Sequence, residues 1–201
     1  MAIHVLEQYL PVNTLPFLRK WFGHHAIHIK ITKNRDSKLG DYRKLPDQSH
    51  QITINSTLEP QLFFFVLTHE LAHLIAFEEH HFRISAHGKE WKDTFRKMLL
   101  ESLSVYTADL QAIITQFAKS PKANFMASPD LVRYFHIKDP DDKIIFIEEL
   151  TVNDQFRYKG ERYEILERKK KLYLCINLNQ SKKYLFRPLA KVEKIIADGQ
   201  K

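Results

Sequence analysis

The residues with the clearest chemical potential are His69-Glu70-Leu71-Ala72-His73. Two histidines four positions apart lie about 40° from one another around an α-helix, so both imidazoles can reach one metal ion. Glu70, one residue on, comes close enough in angle to meet a water on that ion without being a ligand. Zinc suits imidazole donors and lowers the pKa of such a water to about 7. A neighbouring carboxylate can then take the proton as the water attacks a carbonyl. Chance would place an H-E-x-x-H in a chain of this length and composition roughly 0.04 times. The motif sits in an apolar run, where unpartnered His and Glu side chains are costly. A metal would satisfy them; a pair of hydrogen-bonded core histidines is the plainer alternative.

A catalytic zinc takes three protein ligands and keeps a fourth position open. The extended H-E-x-x-H-x-x-G-x-x-H pattern fails, because Ala76 and Glu79 stand at the Gly and His positions, with His80 one place late. Glu78 and Glu79 lie one to two turns further along the same helix and should point past the metal. His87 is the better third ligand. It follows a stretch (His80 to Ala86) long enough to reverse direction, and it opens His-Gly-Lys-Glu-Trp at an expected helix start. Gly88 allows close backbone approach there. His80 and His81 should be exposed or should only support the ligands. Tyr42, His28 and His50 are candidates for transition-state hydrogen-bond donors, and nothing in the sequence selects among them. Trp91 reads as a packing anchor.

The elements that must position these groups follow from periodicity. Residues 4–22 read as a helix with a pattern broken around Pro11 and Pro16. Residues 26–32 and 50–54 alternate as strands, and Tyr42 can begin another between the turn residues Gly40 and Pro46. Ser56 and Glu59 fit a capping box. The helix from 61 to about 79 is apolar on nearly all sides and should be buried. Further helices are expected over 89–102, 107–119 and 129–134. Asp-Pro-Asp-Asp at 139–142 reads as a linker. Beyond it the period becomes two, which predicts a small antiparallel β module with Cys175 buried in a strand.

Composition sets the limits. With 201 residues and 44% hydrophobic content, the chain can bury a real core, so disorder is excluded as an overall class. Cys175 is the single cysteine, which excludes a disulfide framework and any cysteine-pair zinc site. The first residues lack the features of a signal peptide, and His69, Glu70 and His73 interrupt the longest apolar run. A cytoplasmic protein without a membrane-spanning helix is therefore expected. Charge is uneven. Residues 154–201 carry 13 Lys/Arg against 6 Asp/Glu, which accounts for the whole net charge of +7. Arg168, Lys169, Lys170, Lys171, Lys182 and Lys183 fall near expected strand ends among Tyr158, Tyr163, Tyr173, Tyr184 and Phe186. Basic residues with aromatics suit single-stranded nucleic acid. The simpler reading has the aromatics filling a small sheet's core and the lysines solvating its edges, and it is favoured for most of the aromatics.

His-Glu-Leu-Ala-His, thirteen residues, then His87-Gly88-Lys89-Glu90-Trp91 resembles the SprT-like (Spartan-related) zinc metalloprotease family, whose pattern is H-E-x-x-H followed by H-G-x-x-[F/W]. The upstream order of helix, strand, Gly-containing strand and the strand Gln51–Leu58 is similar as well. The resemblance covers about residues 5–104. It implies an α+β fold with a minimal zincin-like domain, a catalytic helix packed on a small sheet. It also implies one zinc per chain on His69, His73 and His87, Glu70 as general base, and hydrolysis of peptide bonds, in the family's member Spartan directed at proteins crosslinked to DNA. The chain departs from many SprT-like proteins in lacking a C-terminal four-cysteine zinc ribbon. The expected organisation is thus a zincin domain over 1–105, a helical extension and linker over 106–143, and a basic β module over 144–201 in the ribbon's place. The expected partners are a protein or peptide substrate and DNA. The alternatives are a nucleic-acid-associated binding protein with a structural or vestigial zinc site, and a hydrolase of free peptides with no nucleic-acid partner.

Overall fold

The apolar alternation of Ile27, Ile29 and Ile31 and of Ile52 and Ile54 forms strands that meet in one sheet. In the computed structural model, which describes residues 3–33, 35, 38–81, 84–124, 127–136 and 144–195, the sheet has three strands: β1 (Ile27–Thr32), β2 (Gly40–Lys44) and β3 (His50–Asn55). Their order is β1-β3-β2. β3 is central, parallel to β1 with Ile27 opposite His50, and antiparallel to β2 with Tyr42 opposite Ile52. Every residue of β3 is buried, which makes it the spine of the sheet.

The helix over 61–79 extends over Pro60–His80 as α2. Its N-cap is Glu59, whose side chain accepts a hydrogen bond from the Leu62 amide at 3.1 Å. Glu59 thus takes the capping role that a capping box would give to Ser56, and Pro60 tolerates the first turn because its missing N–H has no helical partner anyway. By length and apolar composition α2 also matches a membrane span, so the sequence argument against one does not hold on length alone; 67% of its most apolar window is buried inside the protein. The expected helix over 4–22 divides into a 3₁₀ segment, Ile3–Tyr9, and α1, Leu15–Phe22. Pro11 and the left-handed Asn13 (φ 65°) separate the two.

Helices α3 (Lys89–Glu101), α4 (Ala108–Ala118) and α5 (Pro129–Tyr134) complete the first unit. Trp91, Phe95, Leu110, Ile114, Phe117 and Leu131 share one hydrophobic core with α2 and the sheet. The segment from 106, expected as an extension, therefore contributes to this core, and the chain divides between Phe135 and His136. The stretch that reads as a linker at 139–142 lies outside the described residues.

The second unit is a six-stranded sheet with all pairs antiparallel, in the order β4-β9-β5-β6-β7-β8. The strands are β4 (Ile144–Phe146), β5 (Gln155–Tyr158), β6 (Glu161–Arg168), β7 (Tyr173–Asn177), β8 (Lys183–Phe186) and β9 (Lys191–Lys194). Phe156, Tyr163, Ile165, Tyr173, Cys175 and Phe186 are buried in its own core. The fold class of the whole chain is α+β.

Candidate metal centre

The H-E-x-x-H residues occupy the middle of α2, and His87 stands just before α3, whose N-cap is Gly88. One ligand nitrogen from each of His69, His73 and His87 lies within 4.8 Å of the others. Nε2 of His73 and Nε2 of His87 are 3.1 Å apart. Two nitrogens each about 2.0–2.1 Å from one ion, at the tetrahedral angle, would stand about 3.4 Å apart. That pair is therefore already close to coordination geometry. A side chain at Gly88 would meet the Ser85 Cβ and carbonyl oxygen at 3.2 Å, so glycine permits the tight turn that returns His87 to α2.

Burial, helped by neighbouring cationic groups, keeps these imidazoles neutral. His69 is pushed down to about 3, first by burial and then by His73 and His87. Burial and His87 lower His73 to about 4, against a backbone hydrogen bond at Ala86. His87, the most open of the three, is lowered mainly by burial. Neutral imidazoles present the lone pairs that a metal needs.

Glu70 is buried on the sheet side of α2. Burial, and then the charge of Asp41, raise its carboxyl to about 8, while Lys38, Arg35 and the Tyr42 backbone act in the opposite sense. The approach of β2 explains the burial. A Cβ added to Gly40 would lie 2.6 Å from Glu70 Oε1 and 2.7 Å from Val66 Cγ1.

Trp91 is fully buried, as a packing anchor should be, yet it also walls the centre. Its ring lies 4.7 Å from His69, 5.3 Å from His73 and 4.6 Å from His87, and its indole N–H donates to the His69 carbonyl at 3.4 Å. Phe95 closes the far side of His69 at 5.3 Å. The signal for Trp91 is its place in the first turn of α3, close behind His87 in the chain.

The remaining candidates separate clearly. His80 and His81 are exposed. Glu79 faces solvent, and Glu78 turns to Lys44 at 2.8 Å. Neither glutamate joins the three-histidine group. Tyr42 stacks on His73 with centroids 6.1 Å apart and planes 4° from parallel. Its hydroxyl is hydrogen-bonded to His50 Nδ1 at 3.1 Å, and burial followed by Glu78 pushes it up to about 12. His28 is on the exposed face of β1.

In the second unit, Arg168, Lys169, Lys170 and Lys171 are exposed where β6 turns into β7, and Lys182 and Lys183 where β7 turns into β8. The two sets lie at opposite ends of β7. Tyr163, Tyr173 and Phe186 are buried in the sheet's core, so they offer no stacking platform for bases; Tyr184 is exposed. No family model, curated protein or solved structure matches this chain.

Proposed function

We propose that this chain is a zinc-dependent metallopeptidase whose first unit is a minimal zincin-like, SprT-like domain. The observation that carries the reading is the convergence of three neutral imidazoles, two of them on the same helix as a buried carboxyl. Zinc held by His69, His73 and His87 would acidify a water and polarise a scissile carbonyl. Without metal, burial favours the protonated form of Glu70 at neutral pH; the charge of a bound zinc would ionise it, and its carboxylate would then take the proton of the attacking water and return it to the departing amine. Trp91 and Phe95 hold the His69 ring in place and keep solvent from its far side. A structural or vestigial zinc would need no carboxyl at position 70, which favours the enzyme over a binding protein. The substrate is a protein or peptide, in a cytoplasmic setting. The exposed basic turns of the second unit support DNA-associated proteins as targets.

The test is Glu70→Gln. It should keep zinc at the three histidines, read by metal analysis, while casein cleavage falls about 10²–10⁴-fold. Cleavage as fast as the native chain's would sink the mechanism, and loss of zinc would make Glu70 a ligand. Running both proteins with and without single-stranded DNA separates DNA-associated activity from hydrolysis of free peptides.

A further inference from the structure

A second set of metal-ligand side chains converges among the described residues. His25 lies between α1 and β1, His50 opens β3, and Glu78 is in the last turns of α2; one donor atom from each lies within 4.8 Å of the others. We infer that His25, His50 and Glu78 form a second divalent transition-metal site, distinct from the three-histidine centre. Two imidazoles and a carboxylate are a donor set suited to zinc and its neighbours in the first transition row.

The surroundings fit a ligand set better than a chance meeting. His50 is almost completely buried. Its Nδ1 is hydrogen-bonded to the Tyr42 hydroxyl at 3.1 Å, and its Nε2 faces Glu78 Oε1 at 3.6 Å. A histidine ligand typically has its second nitrogen held by a hydrogen bond; the Tyr42 hydroxyl can accept from Nδ1–H, the tautomer that leaves the Nε2 lone pair for a metal. Glu78 already attracts a cation there, because Lys44 Nζ sits 2.8 Å from Oε1. A divalent ion must displace that ammonium or use the other oxygen. Lys44 is partly exposed and long enough to swing into water. His50 Nε2 and Glu78 Oε1, at 3.6 Å, are already near the tetrahedral spacing of about 3.4 Å, and the rest of the set, within 4.8 Å, needs to close by at most about 1.4 Å. The freedom for this lies at the edges of the site, since His25 follows Gly23 (φ 51°) and Glu78 is near a helix end. Tyr42 touches both sets, through His50 on one side and the ring of His73 on the other. Metal at the second site would thus hold Tyr42 against the first.

The full chain, stripped with chelator, would be titrated with Zn²⁺ alone by calorimetry and with Co²⁺ alone by visible absorption. The native chain should take up two equivalents. Glu78→Gln and His25→Ala should each lose one and leave the affinity of the other unchanged, while His87→Ala removes the complementary one. Tyr42→Phe should weaken the second equivalent about 10–100-fold, as removal of a partner that orients a ligand does, and Lys44→Met should tighten it. Glu78→Gln keeps the side-chain shape, so it decides the matter if His25→Ala fails to fold. A native chain that binds a single equivalent, abolished by His87→Ala, would overturn the inference. So would a Glu78→Gln chain that binds both equivalents with native affinity. Neither count depends on hydrolysis, so a failure of the peptidase reading would be seen separately.

Discussion

Gly40→Ala places the smallest added group against the most sensitive contact in the first unit. Its Cβ would stand 2.6 Å from Glu70 Oε1, where ordinary van der Waals contact begins at about 3.4 Å. Something must therefore move by about 0.8 Å. A second obstacle, Val66 Cγ1 at 2.7 Å, demands nearly the same displacement. β2 cannot give way freely, because its other edge is hydrogen-bonded to the buried β3, with Gly40 opposite Ile54. The Glu70 side chain is the softer partner, and in the proposed mechanism it is the group whose position matters for proton transfer. Overpacking of this kind costs about 1–3 kcal/mol. A displacement near 1 Å at a reacting group costs on the order of 100-fold in rate. The expected outcome is a metal-free chain destabilised by about 1–3 kcal/mol in urea, zinc still bound by the three histidines, and casein cleavage reduced about 100-fold. Native cleavage rate and native stability together would show that β2 does not press on Glu70, and the account of its burial would be wrong.

Acid should destabilise the metal-free chain through His69 and His73. His69 and His73 titrate at about 3 and about 4 in the fold against an ordinary 6.5, so the unfolded state binds more protons below pH 6.5 and stability falls as pH drops from there toward 4. Glu70 has the opposite sign, since its rise to about 8 adds stability below its ordinary 4.5 that is lost as pH climbs through 8. Between 4.5 and 6.5 two groups oppose one, and urea midpoints in chelator should fall on acidification; a rise would refute the assignment. In the second unit, Ser at Arg168, Lys169, Lys170 and Lys171 should lower DNA affinity and flatten its salt dependence by about 0.7–0.9 for each phosphate no longer neutralised, without changing zinc content. Lys182 and Lys183 stand a strand's length away, about 13–17 Å for five residues and beyond the ~8–10 Å screening length. Their substitution should add to the first set's effect independently, as salt titrations of both variants and their combination would show. DNA binding equal to the native chain's with all six replaced would remove the module's nucleic-acid role.

α2 is legible in the sequence because its signals are local. An apolar surface on all sides, a proline at its start and a metal-ligand spacing all sit within 21 residues. The limits of α5 are equally plain, with Pro129 to start it. Contacts set by topology are not legible. His25, His50 and Glu78 are far apart in sequence and meet because β1 pairs in parallel with β3, which brings the start of both strands to the same end of α2. No period in the sequence encodes a parallel crossover. Gly40 reads as a turn residue, and its pressure on Glu70 shows only once β2 is laid on the helix. In the second unit Tyr163 is legible as core because charged residues flank it along β6, whereas Leu174 and Ile176 alternate with Tyr173 and Cys175 along β7, so the period alone does not mark which face of that strand is buried.

β2 is the element that ties these observations together. Alternate residues of a strand share a face, at about 6.6–6.8 Å per pair, while a helical turn rises about 5.4 Å. A strand running alongside a helix can therefore meet successive turns with successive same-face residues. Gly40 meets Val66 and Glu70, Tyr42 meets His73, and Lys44 meets Phe77 and Glu78. One strand face thus supplies the close approach to Glu70, the stacking partner of His73 and the cation beside the second set. A slip of one residue would turn Asp41 and Arg43 toward the helix instead. That would set a carboxylate against Glu70 and a guanidinium against neutral His73, both inside a buried contact. The register of β2, held by its pairing with β3, is therefore part of the site's chemistry as much as of its architecture.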